Sequence, residues 1–415
     1  MKRLFFLLFV LSLAATAFPQ DYAGFRGPGS QGIYPESNLM KKWPEQWPDL
    51  IMKVSGFGAG YSQPVVYRNN IYVSGTKDSL NLVTAYTMEG KQLWQTHYGK
   101  FWIRTYPENR CTPSVEGDRL YIASGVGELC CLDTKTGSIL WKVHAADTYK
   151  TEIHKHGEAE SLLLTEKAVI YTTGGEENAV IALKKEDGSL IWKSKSLGGS
   201  KSYASPILIS KGGMQIILAQ TAKHLIALNA RNGDILWSYD LMQYHLSDQG
   251  IGANTNPPLV HGDEIFVTSG YNHPGLMFSL SQDGLSASLK WRNDTLDCHV
   301  GGVVRVGNSI YGSNWQNNAK GKWACLDWET GKINWEKEWY NKGSLISADG
   351  MLYLYEEKSG HVALVEPDEK QMKIKGSFNV TEGTGPHWAH PAIYNGRLYI
   401  RHGNHLLVYA LRSEK

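Results

Sequence analysis

The 415-residue sequence predicts an all-β protein: an eight-bladed β-propeller of four-stranded antiparallel blades, its ring closed by an N-terminal strand joining the C-terminal blade. Three observations predict it. A segment ending in tryptophan recurs six times at near-constant spacing. Glycine (43) and tryptophan (14) are both abundant, which suits a turn-rich chain whose indoles have a repeated task. The last repeat stops one strand short, and a spare strand precedes the first.

The N-terminus comes first. Lys2 and Arg3 precede an apolar run from Leu4 to Ala15, and Ala15-Thr16-Ala17 supplies a small-x-small pattern. This is the order of a cleaved secretory signal over 1–17, with cleavage as late as residue 20. The run is shorter than the ~20 apolar residues that span a bilayer, so no transmembrane anchor is expected. The reading is an exported bacterial protein, periplasmic or extracellular, with an N-terminal extension over 18–46 and one propeller over 47–415. Lys+Arg total 42 and Asp+Glu 40, so losing Lys2 and Arg3 with the signal leaves the two equal. A neutral chain has no electrostatic draw for nucleic acid. Five cysteines with no CxxC exclude a disulfide scaffold and haem attachment.

The repeat follows. "AYTMEGKQLW" ends on Trp94, "CLDTKTGSILW" on Trp141, "ALKKEDGSLIW" on Trp192, "ALNARNGDILW" on Trp237, "SLSQDGLSASLKW" on Trp291 and "CLDWETGKINW" on Trp335. The spacings are 47, 51, 45, 54 and 44 residues. Within each unit a short apolar run led by a proline or small residue is followed by a turn, an alternating strand such as "LYIASG", a third strand, and a glycine turn into the tryptophan strand. Alternation of period two marks half-buried strands, and four per unit is the pattern of a propeller blade. A seventh unit, "ADGMLYLYEEKSGHVALVEPDEKQMKIKGSF", lacks the tryptophan. The eighth, "HPAIYNGRLYIRHGNHLLVYALR", has three strands, and "WPDLIMKVSG" at 47–56 is the candidate fourth. Joining the termini in one blade removes open sheet edges.

The motif "A-L-D-x-x-T-G-x-x-x-W", the opening "FRGPGSQG" and the ending "GRLYIRHGNHLLVYAL" resemble the PQQ-like (pyrroloquinoline-quinone-like) repeat propellers of the quinoprotein alcohol dehydrogenase-like superfamily, which also include the outer-membrane-assembly propeller. The resemblance covers nearly the whole chain after the signal. It implies that Trp94, Trp141, Trp192, Trp237, Trp291 and Trp335 pack between neighbouring blades as structural docking residues. It also brings PQQ with Ca2+ into view, although the residues themselves firmly imply no cofactor.

Adjacent Cys130 and Cys131 invite a redox reading. In register, however, Cys131 takes the slot of Ala182 and Ala227, and neighbouring strand residues point to opposite faces. Two small apolar side chains in a strand explain the pair.

The loops that follow each tryptophan enter the innermost strands and should ring one face of the channel. The long polar ones, at 97–113, 144–161, 239–258, 292–302 and 380–392, bring together the binding candidates Arg104, Arg110, His156, Glu158, Glu160, Asn254, Asn256, His299, His387, Trp388 and His390. Loops on a rigid scaffold are where binding groups sit. "HKHGE" makes His154, His156 and Glu158 the candidate metal ligands. No catalytic motif is recognisable. The best-supported function is therefore an exported, monomeric binding or assembly platform with a polar funnel, taking a small molecule, a glycan or another exported protein. The alternatives are a PQQ-dependent alcohol or sugar dehydrogenase and a carbohydrate-active propeller using the same His, Arg and Glu residues.

Overall fold

Six of the eight blades are built on the same kind of cross-strand pair. Trp94 faces Ala85, Trp141 faces Cys131, Trp192 faces Ala182, Trp237 faces Ala227, Trp291 faces Met277 and Trp335 faces Cys325. The register shifts just after the facing residue in every case, which bends the outer strand. Each indole N–H donates to a main-chain carbonyl of the following blade: Trp94 to Thr134 (2.9 Å), Trp141 to Lys185 (2.9 Å), Trp192 to Ala230 (3.2 Å), Trp237 to Gly284 (3.2 Å), Trp291 to Trp328 (3.0 Å) and Trp335 to Asp368 (2.9 Å). The receiving turn needs a glycine. A Cβ on Gly137, at φ +72°, would stand 2.6 Å from the Trp94 ring.

The computed structural model describes residues 22–45, 48–246 and 252–412. The signal expected over 1–17 lies outside them. Eight sheets form the ring. Blades 1 to 7 hold strands within 65–100, 114–144, 163–193, 207–240, 259–293, 304–337 and 343–379. Blade 8 joins Ala392–Tyr394, Arg397–His402 and His405–Ala410 to Leu50–Ser55, which pairs antiparallel with the last of these. The spare strand therefore closes the ring.

The channel is crossed by the chain's own N-terminal segment. Tyr22–Ala23 pairs with the inner strand Ser114–Glu116 of blade 2, and Ile33–Tyr34 runs parallel to the inner strand Gly343–Ala348 of blade 7. Between them lies "GFRGPGSQG". Arg26, 2% exposed, donates to the carbonyls of Gly301 (3.2 Å), Leu345 (3.1 Å) and Val303 (2.7 Å). Burial without a carboxylate partner lowers its pKa to about 10. Gln31 reaches blade 5, accepting from Val260 N (2.8 Å) and donating to Pro258 O (3.3 Å).

All five cysteines are free and buried. Cys130 Sγ lies 3.2 Å from Tyr98 O, while Cys131 sits under Trp141. Burial pushes the Cys130 thiol up to about 12 and the Cys131 thiol to about 11, so neither is a ready nucleophile.

Candidate functional site

The loops entering the inner strands meet over one end of the channel in an aromatic mouth. Trp388 lies 5.0 Å from Tyr61 and 5.5 Å from Tyr106, ring centre to ring centre. Tyr106 meets His156 edge-on at 5.4 Å, and His156 stacks over Tyr203 at 6.4 Å. A second group, Tyr271 with His299 (4.6 Å) and Trp315 (5.1 Å), lies close enough for the Tyr271 phenol to couple electrostatically with Tyr203 and Tyr106.

Two of these tyrosines sit in the left-handed backbone region, Tyr106 at φ 53° and Tyr271 at φ 60°. A bulky side chain there costs about 1–3 kcal/mol and persists only where its surroundings impose it. Arg110 does part of that work: its guanidinium donates to Tyr106 O (3.4 Å) and to His156 O, tying the strained turn to the next loop. Its Nε is buried with no hydrogen-bond partner among the described residues, and burial lowers its pKa. Burial, then Lys155 and Arg110, lowers the His156 pKa. Burial and Lys342 take His299 to about 3. Both imidazoles are therefore neutral at neutral pH, and the mouth presents aromatic, neutral hydrogen-bonding groups beside the Arg110 guanidinium.

The structure distributes the sequence-derived candidates unevenly. Arg110, His156, Trp388 and His299 stand at the mouth. Arg104 is exposed and lies over Trp102 at 5.4 Å. Glu158 and Glu160 lie beneath the loops, both side chains 0% exposed, with Lys201 Nζ at 2.6 and 3.1 Å. Tyr171 also donates to Glu158 (2.6 Å), and burial raises Glu160 to about 7 against the opposing pull of Lys201. Asn254 donates to Thr221 O (2.8 Å) and receives Tyr203 N at its carbonyl (2.9 Å), so it holds the loop that presents Tyr203. Asn256 clamps Cys298 O (2.6 Å) and Gly302 N (2.9 Å) below His299. His387 packs on His402 at 3.6 Å, with Tyr355 Oη 2.6 Å from its Nδ1. His390 is inside the channel, where Nδ1 lies 3.0 Å from Arg26 Nη1 and Nε2 lies 2.7 Å from Val300 O.

The metal candidates aim at different partners. His154 Nδ1 meets Tyr203 Oη, His156 Nδ1 lies 2.6 Å from Thr105 Oγ1, and Glu158 belongs to Lys201. Among the described residues no group of three His, Cys, Asp or Glu side chains is arranged to hold a metal ion. A calcium-bound quinone fits poorly too. Calcium takes about 6–8 oxygens, yet the carboxylates of Glu158 and Glu160 face Lys201 and the Asn256 carbonyl is engaged by Gly302 N.

Tyr61, Tyr106, Tyr203, Tyr271 and Trp315 are not among the sequence-derived candidates. A signal for two of them is in the sequence. Tyr61, Arg110, Tyr203 and Trp388 each stand three residues before the proline that leads an inner strand, at Pro64, Pro113, Pro206 and Pro391. That slot points at the mouth. The loop over 194–205 looks bland by composition, yet it carries both Tyr203 and Lys201.

Comparison with known proteins agrees with the fold. A family model described as "Outer membrane protein assembly factor BamB" matches residues 79–337. The outer membrane protein assembly factor BamB of Yersinia pestis is 24% identical over 321 residues, 74% of this chain and 75% of that one. The crystal structure of BamB from Moraxella catarrhalis superposes with a TM-score of 0.62 at 15% identity, covering 88% of this chain and 99% of that one. A europium-containing methanol dehydrogenase superposes with a TM-score of 0.67 at 12% identity, covering 95% and 99%. With tryptophan repeats, ring closure and family match in agreement, the chain belongs to the PQQ-like repeat propeller family described as outer membrane protein assembly factor BamB.

Proposed function

We propose that this chain is an exported binding or assembly platform that engages its partner on the aromatic mouth. The observation that carries the reading is the pair Tyr106 and Tyr271, held at φ 53° and 60° within the aromatic clusters of the mouth. Backbone strain of this kind concentrates at functional sites. Tyrosine and tryptophan offer large, rigid contact area with little entropy to lose, and neutral imidazoles and phenols supply hydrogen bonds without the cost of desolvating a charge. Membership of a family named for outer-membrane protein assembly supports another exported protein as the partner. The signal-like opening of the sequence supports export, and the six inter-blade indole bonds support a docking role for the repeated tryptophans.

A photo-crosslinking residue at position 106 tests this in intact cells. It should capture a defined envelope protein, and adding Trp388→Ala should abolish capture while leaving the melting temperature within a few degrees. Equal capture in the presence of Trp388→Ala would refute the mouth as the contact surface.

A quinone-dependent oxidoreductase is the second reading, favoured by the fold likeness to a methanol dehydrogenase. The engaged carboxylates weigh against it. Adding PQQ and calcium to the purified protein decides the matter: a shifted quinone absorbance with dye reduction by alcohols supports it, and no response dismisses it.

A further inference from the structure

Along the inner strands of blades 1 and 8, from Gln63 to Arg68 and from Ala392 to Tyr394, a cavity of about 460 Å³ opens between them and the N-terminal segment, and none of the mouth's clustered rings lines it. The volume is within the roughly 300–1,000 Å³ of ligand sites. Tyr22, Tyr34, Tyr67 and Tyr394 wall it, together with the inner strands Val65–Tyr67 and Ala392–Tyr394.

The two strands present their backbone to it in the same way. Each leads into a two-residue turn with both central residues at positive φ, Arg68 (46°) and Asn69 (64°) in blade 1, Asn395 (49°) and Gly396 (68°) in blade 8. Such type I′ turns make the flanking pairs, Tyr67–Asn70 and Tyr394–Arg397, the hydrogen-bonded ones. Antiparallel pairing alternates, so Val66 and Ile393 sit in the non-bonded pairs with Ile71 and Leu398. Their N–H and C=O groups consequently point away from the blade, across the channel.

The equivalent positions elsewhere show what this arrangement accepts. In blade 2 Val115 pairs with Ala23 of the N-terminal segment. In blade 5 Val260 N is taken by the Gln31 amide oxygen at 2.8 Å. In blade 7 Ser347 N donates to Gly32 O at 2.8 Å beside the parallel strand Ile33–Tyr34. The N-terminal segment thus crosses from blade 2 to blade 7 and leaves the two blades between its ends, 1 and 8, with their inner edges facing the cavity.

We propose that this cavity takes a short extended peptide, which adds as a strand to the Val66 or Ile393 edge while the tyrosines pack its side chains. Main-chain hydrogen bonds supply affinity and the aromatic walls supply preference, the mode by which peptides add to sheet edges. The site is separate from the aromatic mouth, and its success or failure leaves the platform reading untouched.

The test uses the full exported chain, labelled with 15N, and a mixture of blocked tetrapeptides whose two central positions vary over Val, Ile, Leu, Tyr, Phe and Pro. The expected result is a downfield shift and slowed hydrogen exchange of the Val66 or Ile393 amide. Binding should weaken at least tenfold when the same peptides are N-methylated at alternate amides. It should also weaken at least tenfold in Val66→Pro or Ile393→Pro, where proline removes a channel-facing donor without removing a bond of the blade. No amide response at millimolar peptide would overturn the proposal. So would equal binding of the N-methylated set, which would make the cavity an aromatic pocket only, or binding of maltotriose in place of peptide.

Discussion

Acid should loosen the channel through His390. The imidazole is 6% exposed, lies edge-on to Phe25 at 4.9 Å, and has both nitrogens committed. Nε2 can only donate to the Val300 carbonyl at 2.7 Å, so Nδ1 must accept from Arg26 at 3.0 Å. That arrangement requires the neutral ring. Protonating Nδ1 would aim a second N–H at a guanidinium with no carboxylate to balance it. Burial first, and the Arg26 charge second, accordingly take the His390 pKa to about 3. The unfolded value is about 6.5, so the native state binds fewer protons, and its stability is fully present above pH 6.5 and lost as pH falls toward 3. The linkage amounts to about 2 kcal/mol at pH 5 and about 0.2 kcal/mol at pH 7 for this one group. Asparagine in its place keeps an oxygen for Arg26 and does not titrate. Urea unfolding of wild-type and His390→Asn at pH 7 and pH 5 isolates the contribution, because His299 and His387, both also taken to about 3, titrate in either protein. Wild-type should lose about 2 kcal/mol more than the variant between the two pH values. Equal losses would mean that the ring is already protonated or solvated in the native state, and the reasoning would fail.

Other perturbations separate packing from binding. Lys201→Met strands two carboxylates with no exposed surface and should cost about 3–5 kcal/mol in chemical denaturation. Adding Glu158→Gln and Glu160→Gln should recover most of the loss, and no recovery would deny the ion cluster. Trp141→Phe should cost about 1 kcal/mol for the bond to Lys185 O, and Trp141→Ala about 3–5 kcal/mol; indistinguishable melting of the two would remove the indole from the inter-blade contact. Thiol reagents should leave Cys130 and Cys131 unmodified in the native protein and label all five cysteines in urea, so rapid native labelling of either would contradict their burial. Tyr106→Gly relieves a left-handed tyrosine and should cost no stability, even gaining about 1 kcal/mol, while losing the partner; a clear destabilisation would show the tyrosine to be structural.

The repeat was legible because it is local. In five of six units a small residue stands opposite a tryptophan about ten residues later, with a glycine turn between them, a short-range pattern that one blade satisfies by itself and whose recurrence marks the blades. Ring closure was legible for a related reason: a three-stranded final unit leaves an edge that must be covered, and 47–56 was the unassigned strand. The same register explains why Cys130 and Cys131 are strand residues rather than redox groups.

The contents of the channel and its mouth were decided only by the tertiary structure. Glu158, Glu160 and Lys201 come from loops more than 40 residues apart, and only the ring brings their charges within 3.1 Å and turns candidate ligands into an internal ion cluster. Asn254 and Asn256 read as ligands by type, yet they serve to hold backbone. Tyr271 and Trp315 reach the mouth from turns inside blades, which no loop tally would select. "FRGPGSQG" carries no strand pattern, because its partners are single main-chain groups of distant blades: the carbonyls of Gly301, Val303 and Leu345 on Arg26, Val260 N and Pro258 O on Gln31, and Ser347 N on Gly32. Local pairing wrote the blade into the sequence; the site is assembled from single residues of many blades, and that convergence exists only once the ring has closed.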